Sequence, residues 1–160
     1  MRTSNNQIKS NEQIVISIGD PAGIGPEVTL KAISSETCQP NLNPILVGSQ
    51  KCIEKVHSNL KSLGVSPLIK LNDLNIVDIP IKHQIIPGYG TAQSGEASFQ
   101  WLTKATEIVL DNQGKALVTA PIAKSAWHKA GYKYPGQTER LAEIANVNEV
   151  SMLFTAQSPY

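Results

Sequence analysis

A chain of 160 residues, 41% apolar and 17% charged, is long enough for one domain with its own core and too apolar to be disordered. Its 14 basic and 13 acidic residues leave a formal charge of +1 with no basic block, so there is no electrostatic footprint for nucleic acid. No apolar run approaches the roughly 20 residues that cross a bilayer, and the polar start lacks a signal peptide's apolar middle, which makes the cytoplasm the default location.

Residues 1–12 read as a flexible tail and 13–160 as one unit without internal repeat or linker. "QIVISI" (13–18) carries the β-branched run of a buried strand. The turn "GDPAGIGPEV" (19–28) follows, and Pro26 suits the first turn of the next helix, where its missing N–H is harmless. Glu27 then sits near the positive end of the helix dipole, and apolar positions continue to about Ser34. "NPILVG" (43–48) predicts a second strand, and residues 49–64 a helix capped by Ser49 and stopped at Gly64. "SPLIKL" (66–71) and "LNIVDIP" (74–80) predict two short strands in an irregular stretch broken by prolines and glycines.

The clearest helix runs from Ser94 to about Asn112, with Ala97, Trp101, Ala105, Ile108 and Val109 on one face and Trp101 as its core anchor. "KALVTA" (115–120) predicts a strand ended by Pro121, short helices are expected around 123–130 and 138–146, and "EVSMLF" (149–154) predicts a last strand. Strands alternating with helices predict an α/β fold, a mostly parallel sheet with helices on both faces. Ending just after a strand, the sequence reads as incomplete for such a fold.

In open parallel sheets ligands bind beyond the carboxyl ends of strands, where two segments lie. The opening turn is not the dinucleotide fingerprint, because Val28 stands where the third glycine belongs, nor a P-loop, because no Gly-Lys-Ser/Thr follows. By spacing it is a plain strand–helix turn or a phosphate site. The second segment, residues 118–143, presents Lys124, then Gln137, Thr138 and Glu139 at a helix start. Thr138 there is an N-cap, or it joins the free helix-start N–H groups in gripping an anion. Lys124 reads equally as a solvated side chain. No nucleophile–base pair and no metal triad is present, and His57, His83 and His128 lack metal-ligand spacing. His57 and His128, with lysines nearby, are expected on solvated helix faces, and Cys38 and Cys52 as small, reduced, partly buried residues.

"ISIGDPAGIGPEVTLKA" (16–32) and "TAPIAKSAWHKAGYKYPGQTERLAE" (119–143) closely resemble the 4-hydroxythreonine-4-phosphate dehydrogenase family of pyridoxal phosphate biosynthesis, with "SGEASFQWLTKA" (94–105) resembling its central helix. The resemblance runs from about Gln13 and implies the N-terminal part of an isopropylmalate- and isocitrate-dehydrogenase-like fold. It implies NAD- or NADP-dependent oxidation of 4-phosphooxy-threonine, then decarboxylation, with a divalent metal as Lewis acid, in a homodimer whose subunits both line the cleft. The family's substrate-binding pair falls on Gln137 and Thr138, with Gln137 in place of the usual histidine, and "TAPIAK" puts Ala123 in place of an asparagine. The three metal-binding histidines that the resemblance implies fall beyond Tyr160, so no metal ligand, catalytic group or cofactor contact is assigned here. Two alternatives stand beside this reading: a short binding or interaction module without catalysis, and a related dehydrogenase for another phosphorylated four-carbon acid.

Overall fold

The computed structural model of the chain describes residues 13–35 and 43–156, so the tail expected over 1–12 and Cys38 lie outside the described residues. Four short strands form one parallel sheet in the order β3-β2-β1-β4: β1 (Ile14–Ser17), β2 (Ile45–Gly48), β3 (Asn75–Asp78) and β4 (Ala116–Thr119). Val15, Leu46 and Val47 are wholly removed from solvent, as continuous apolar strands must be when both sheet faces are covered.

The path of the chain explains that cover. Helix α1 (Gly25–Ser34) and α2 (Gln50–Ser62) follow β1 and β2 as the chain steps outward to β3, and they pack on each other. Helix α3 (Ala92–Leu110) then returns from β3 across the sheet to β4 and packs against β1, β2 and β4. Right-handed crossovers in opposite directions put α3 on the face opposite α1 and α2. The α/β architecture read from the alternation of elements is therefore the one observed.

Local sequence accounts for most helix ends. Pro26 occupies the first turn of α1, where Glu27 reaches forward to Lys31 at 2.6 Å. Ser49 caps α2 by accepting from the Cys52 N–H, and Gly64, at φ +76°, ends it. Thr91 and Ser94 form a reciprocal capping box, which starts α3 two residues earlier than its apolar pattern suggests.

Two predicted strands are absent. "SPLIKL" forms no strand; Leu68 and Ile69 pack on the core as side chains, the Ile69 N–H donates to Ser34 Oγ, and a 3-10 turn at Leu71–Asp73 follows. "EVSMLF" is unpaired, with Val150, Met152, Leu153 and Phe154 exposed. β propensity makes a strand only where a ladder partner exists, and no strand of the sheet lies beside residues 149–154.

Helix α3 is buried on two sides. Ala97, Trp101, Ala105 and Ile108 face the sheet as the spacing predicts, and the Trp101 indole N–H donates to the Ile79 carbonyl at 3.1 Å. Its other side holds Gly95, Phe99 and Leu102 against α4 (Lys124–Lys129), where Trp127 is buried and donates to Ser98 Oγ at 2.9 Å.

Candidate functional site

The two segments singled out by sequence meet at the carboxyl edge of the sheet. The Asp20 N–H donates to the Pro121 carbonyl at 2.9 Å, and the buried Asp20 carboxylate turns back to accept from the Ala22 N–H at 2.8 Å. Gly19, at φ +77°, lies so close to β4's exit that a Cβ there would stand 2.3 Å from the Pro121 carbonyl oxygen. A Cβ on Gly25 would stand equally close, 2.3 Å, to the Ile18 carbonyl oxygen. Close approach of backbone therefore accounts for the missing side chains at Gly19 and Gly25, a structural use of both glycines.

Helix α5 (Gln137–Ile144) brings the predicted pair to the same edge. Gln137 Nε2 donates to the Ala120 carbonyl at 3.4 Å, which orients the amide and leaves Oε1 buried without a hydrogen-bond partner. Buried polar atoms are rarely left unpaired, and an orphan acceptor beside a strand end is an opening for a ligand donor. Thr138 is not a cap: Gly136 holds that position without a side-chain bond, so the first-turn N–H groups of α5 have no side-chain acceptor. A Cβ on Gly136 would stand 3.4 Å from Glu139 Oε2 and 3.6 Å from Lys124 Nζ, so the glycine leaves room for both a carboxylate and an ammonium at the helix start.

Residues that sequence reasoning passed over hold α5 in place. The Arg140 guanidinium lies 4.7 Å from the centroid of Phe99, donates to Thr103 Oγ1 on α3 at 3.2 Å and pairs with Glu143 at 3.1 Å. Phe99 in turn stacks on Tyr132 and meets Trp127 edge-on. Hydrogen bonds from the Tyr134 hydroxyl and Arg140 hold the Glu143 carboxyl below its ordinary range. The only early signal was the clustering of aromatics in "WHKAGYKY", which has no helical period to expose it.

Burial pushes the Tyr132 phenol up to about 12, helped by its hydrogen bond to Glu96. Unfolded tyrosine titrates near 10, so this contribution to stability is complete below about pH 10 and lost as pH rises through 12. Alkaline titration of the chain is expected to show stability falling across that window, and Tyr132→Phe to remove part of the slope. Parallel far-ultraviolet circular dichroism and phenolate absorbance read both, and an unchanged slope in the variant refutes the assignment.

Among the described residues, no group of three or more His, Cys, Asp or Glu is placed to hold a metal ion, so they do not fit the implied divalent metal by themselves. His57 is half-buried with Nε2 2.9 Å from the Ile69 carbonyl, a structural bond in place of the solvated face expected from its neighbours, whereas His128 is exposed. Cys52 is a free, half-buried thiol, as expected. No described helix is long and apolar enough to cross a membrane.

Known proteins match this arrangement. Residues 40–158 match the family described as "Pyridoxal phosphate biosynthetic protein PdxA". The chain is 51% identical over 147 residues to the 4-hydroxythreonine-4-phosphate dehydrogenase of Synechococcus sp. (strain RCC307), an alignment covering 92% of this chain and 44% of that relative. Against the enzyme of the same name from a Nostoc species, identity is 39% over 99% of this chain and 45% of the relative. The crystal structure of a 4-hydroxythreonine-4-phosphate dehydrogenase from Burkholderia phymatum superposes with a TM-score of 0.78 at 29% identity, over 91% of this chain and 47% of that one. The chain thus spans less than half the length of the curated relatives it matches.

Proposed function

The chain belongs to the PdxA family of pyridoxal phosphate biosynthetic proteins, and on that premise we propose that it supplies part of the substrate site of a 4-hydroxythreonine-4-phosphate dehydrogenase. The reaction is oxidation of the secondary alcohol of 4-phosphooxy-threonine by NAD or NADP, followed by loss of carbon dioxide to give 3-amino-2-oxopropyl phosphate. The observation that carries this reading is the orphaned Gln137 Oε1, placed where the resemblance puts a substrate contact.

The roles follow from donor chemistry. With one Nε2 N–H turned to the Ala120 carbonyl, Gln137 presents the unpaired Oε1 as an acceptor, suited to a substrate hydroxyl or amino group, and keeps its second N–H as a donor. Unlike histidine it does not become a cation near neutral pH, so it binds and orients without moving a proton. Thr138 donates its hydroxyl to a substrate oxygen. Lys124 brings an ammonium to the start of α5, where the Glu139 carboxylate of the same first turn already lies, so a substrate anion there would bind in competition with Glu139. The metal ligands that the family resemblance implies fall beyond Tyr160, and a bound metal would act there as a Lewis acid. Homodimerisation is part of the same proposal, supported by the exposed apolar Val118 on edge strand β4 and the exposed run at 150–154.

In the protein translated from the complete gene, Thr138→Ala is expected to raise the KM for 4-phosphooxy-threonine about tenfold with little change in kcat, the size of one lost hydrogen bond to a charged ligand. Unchanged kinetics would remove Thr138 from the site. The 160-residue chain alone is expected to show no metal-dependent reduction of NAD or NADP with that substrate. Turnover by it would place the missing catalytic groups within these residues and overturn the division of labour proposed here.

A further inference from the structure

We propose that the cavity between the start of α2 and the loop at 81–87 is a second anion site, one that takes a small organic phosphate. It has a volume of about 400 Å³, and although Pro21 of the opening turn lines it, none of its lining residues belongs to the segment 118–143 that carries Gln137 and Thr138. Lys51 and Lys55 reach it from α2, and Lys82 and His83 from the loop, while no Asp or Glu lines it. In a chain whose basic and acidic residues nearly balance, four basic side chains around one cavity without a carboxylate is a local excess, not a reflection of composition.

These lysines are also unneutralised. Lys31 and Lys104 each reach an acid on their own helix, whereas Lys51, Lys55 and Lys82 form no ion pair among the described residues. Lys51 and Lys55 stand one helical turn apart, a spacing at which like charges repel by a few tenths of a kcal/mol. A bound anion converts that repulsion into attraction. Val56, Ile81 and Ile85 line the same cavity and provide dry surface, which favours a phosphate ester with an apolar body over the bare ion. The proposal does not depend on the roles of Gln137 and Thr138, and either can fail without the other.

Cys52 lines the cavity and reports on it. Burial keeps its thiol raised and Lys55 draws it down, so labelling is read as the ratio of rates with and without ligand for each variant. Maleimide labelling of the 160-residue chain, with peptide mapping to separate Cys52 from Cys38, is carried out with adenosine 5′-monophosphate, glycerol 3-phosphate, inorganic phosphate and adenosine. Sodium chloride keeps ionic strength constant. The phosphate-bearing ligands are expected to slow Cys52 labelling at least fivefold at millimolar concentration and adenosine to leave it unchanged. Protection strongest with the nucleotide identifies a nucleotide as the ligand, and strongest with glycerol 3-phosphate identifies a small phosphoester; both support the site, whereas protection strongest with inorganic phosphate, or none by any phosphate, overturns it. Lys55→Glu with Lys82→Glu should weaken protection at least tenfold, while Lys31→Glu on α1 leaves it intact. Equal protection by adenosine or by sodium chloride alone, or full protection in the double variant, overturns the proposal.

Discussion

Truncating Trp101 to alanine is expected to lower the unfolding free energy by about 3–5 kcal/mol, the range for removing a large buried aromatic. Trp101 is wholly buried where α3 crosses the sheet, within the cluster that includes Val15, Leu46, Ala97 and Ile108. Two losses combine in the variant: the void left by the indole, and the Ile79 carbonyl stripped of the indole N–H that it accepts at 3.1 Å. Domains of this size are stable by only ~5–15 kcal/mol, so the variant approaches the folding threshold. Urea denaturation followed by circular dichroism reads the midpoint. Trp101→Phe, which keeps most of the volume and loses the hydrogen bond, should fall between the two. A Trp101→Ala loss below about 1 kcal/mol would mean that α3 does not pack on the sheet as described.

The second large effect is expected at Gly19, and it couples stability to the site. Alanine there meets two penalties. The left-handed backbone at φ +77° costs an L-residue about 1–2 kcal/mol, and its Cβ would lie 2.3 Å from the Pro121 carbonyl oxygen. Backbone cannot rotate away as a side-chain tip does, so β1's exit and β4's exit must move apart. Overpacking of this kind adds about 1–3 kcal/mol. The displaced partner is Ala120–Pro121, and the Ala120 carbonyl is what orients Gln137. Gly19→Ala is therefore expected to lower the urea midpoint and also to shift the Gln137 side-chain amide resonances in a proton–nitrogen spectrum. Gly23→Ala is the control, because its added Cβ meets nothing closer than 3.5 Å. Equal effects of the two substitutions would remove close approach as the reason for Gly19.

Periodicity carried the elements that stand on local chemistry. The face of α3, the Ser49 cap, Pro26 at the start of α1 and the stop at Gly64 all depend on residues within a few positions of each other, and each appears where the sequence puts it. Strand pairing is not local in that sense. "SPLIKL" and "EVSMLF" have strand composition, but one lies on the core through side chains and the other has no neighbour to complete its ladder. The same limit hid Arg140. Between Thr138 and Leu141 it looks like a solvated charge on a helix, and only the fold brings Phe99 and Thr103, some 40 positions earlier, beneath its guanidinium.

By itself, then, the sequence determined the α/β order of elements, the helix boundaries set by caps and prolines, and the family through motifs whose residues are contiguous. Gln137 and Thr138 could be named from those motifs because the motif is a run of neighbours along the chain. Whether the glycines of "GDPAGIGPEV" cradle a phosphate or let two backbones touch was open in the sequence, since both uses need a residue without a Cβ. Tertiary structure shows the second use at Gly19 and Gly25, where the Pro121 and Ile18 carbonyls stand 2.3 Å from the place of a Cβ. It also placed the Gln137 amide: one Nε2 N–H is turned to the Ala120 carbonyl, 17 residues away in sequence, and Oε1 is buried without a partner.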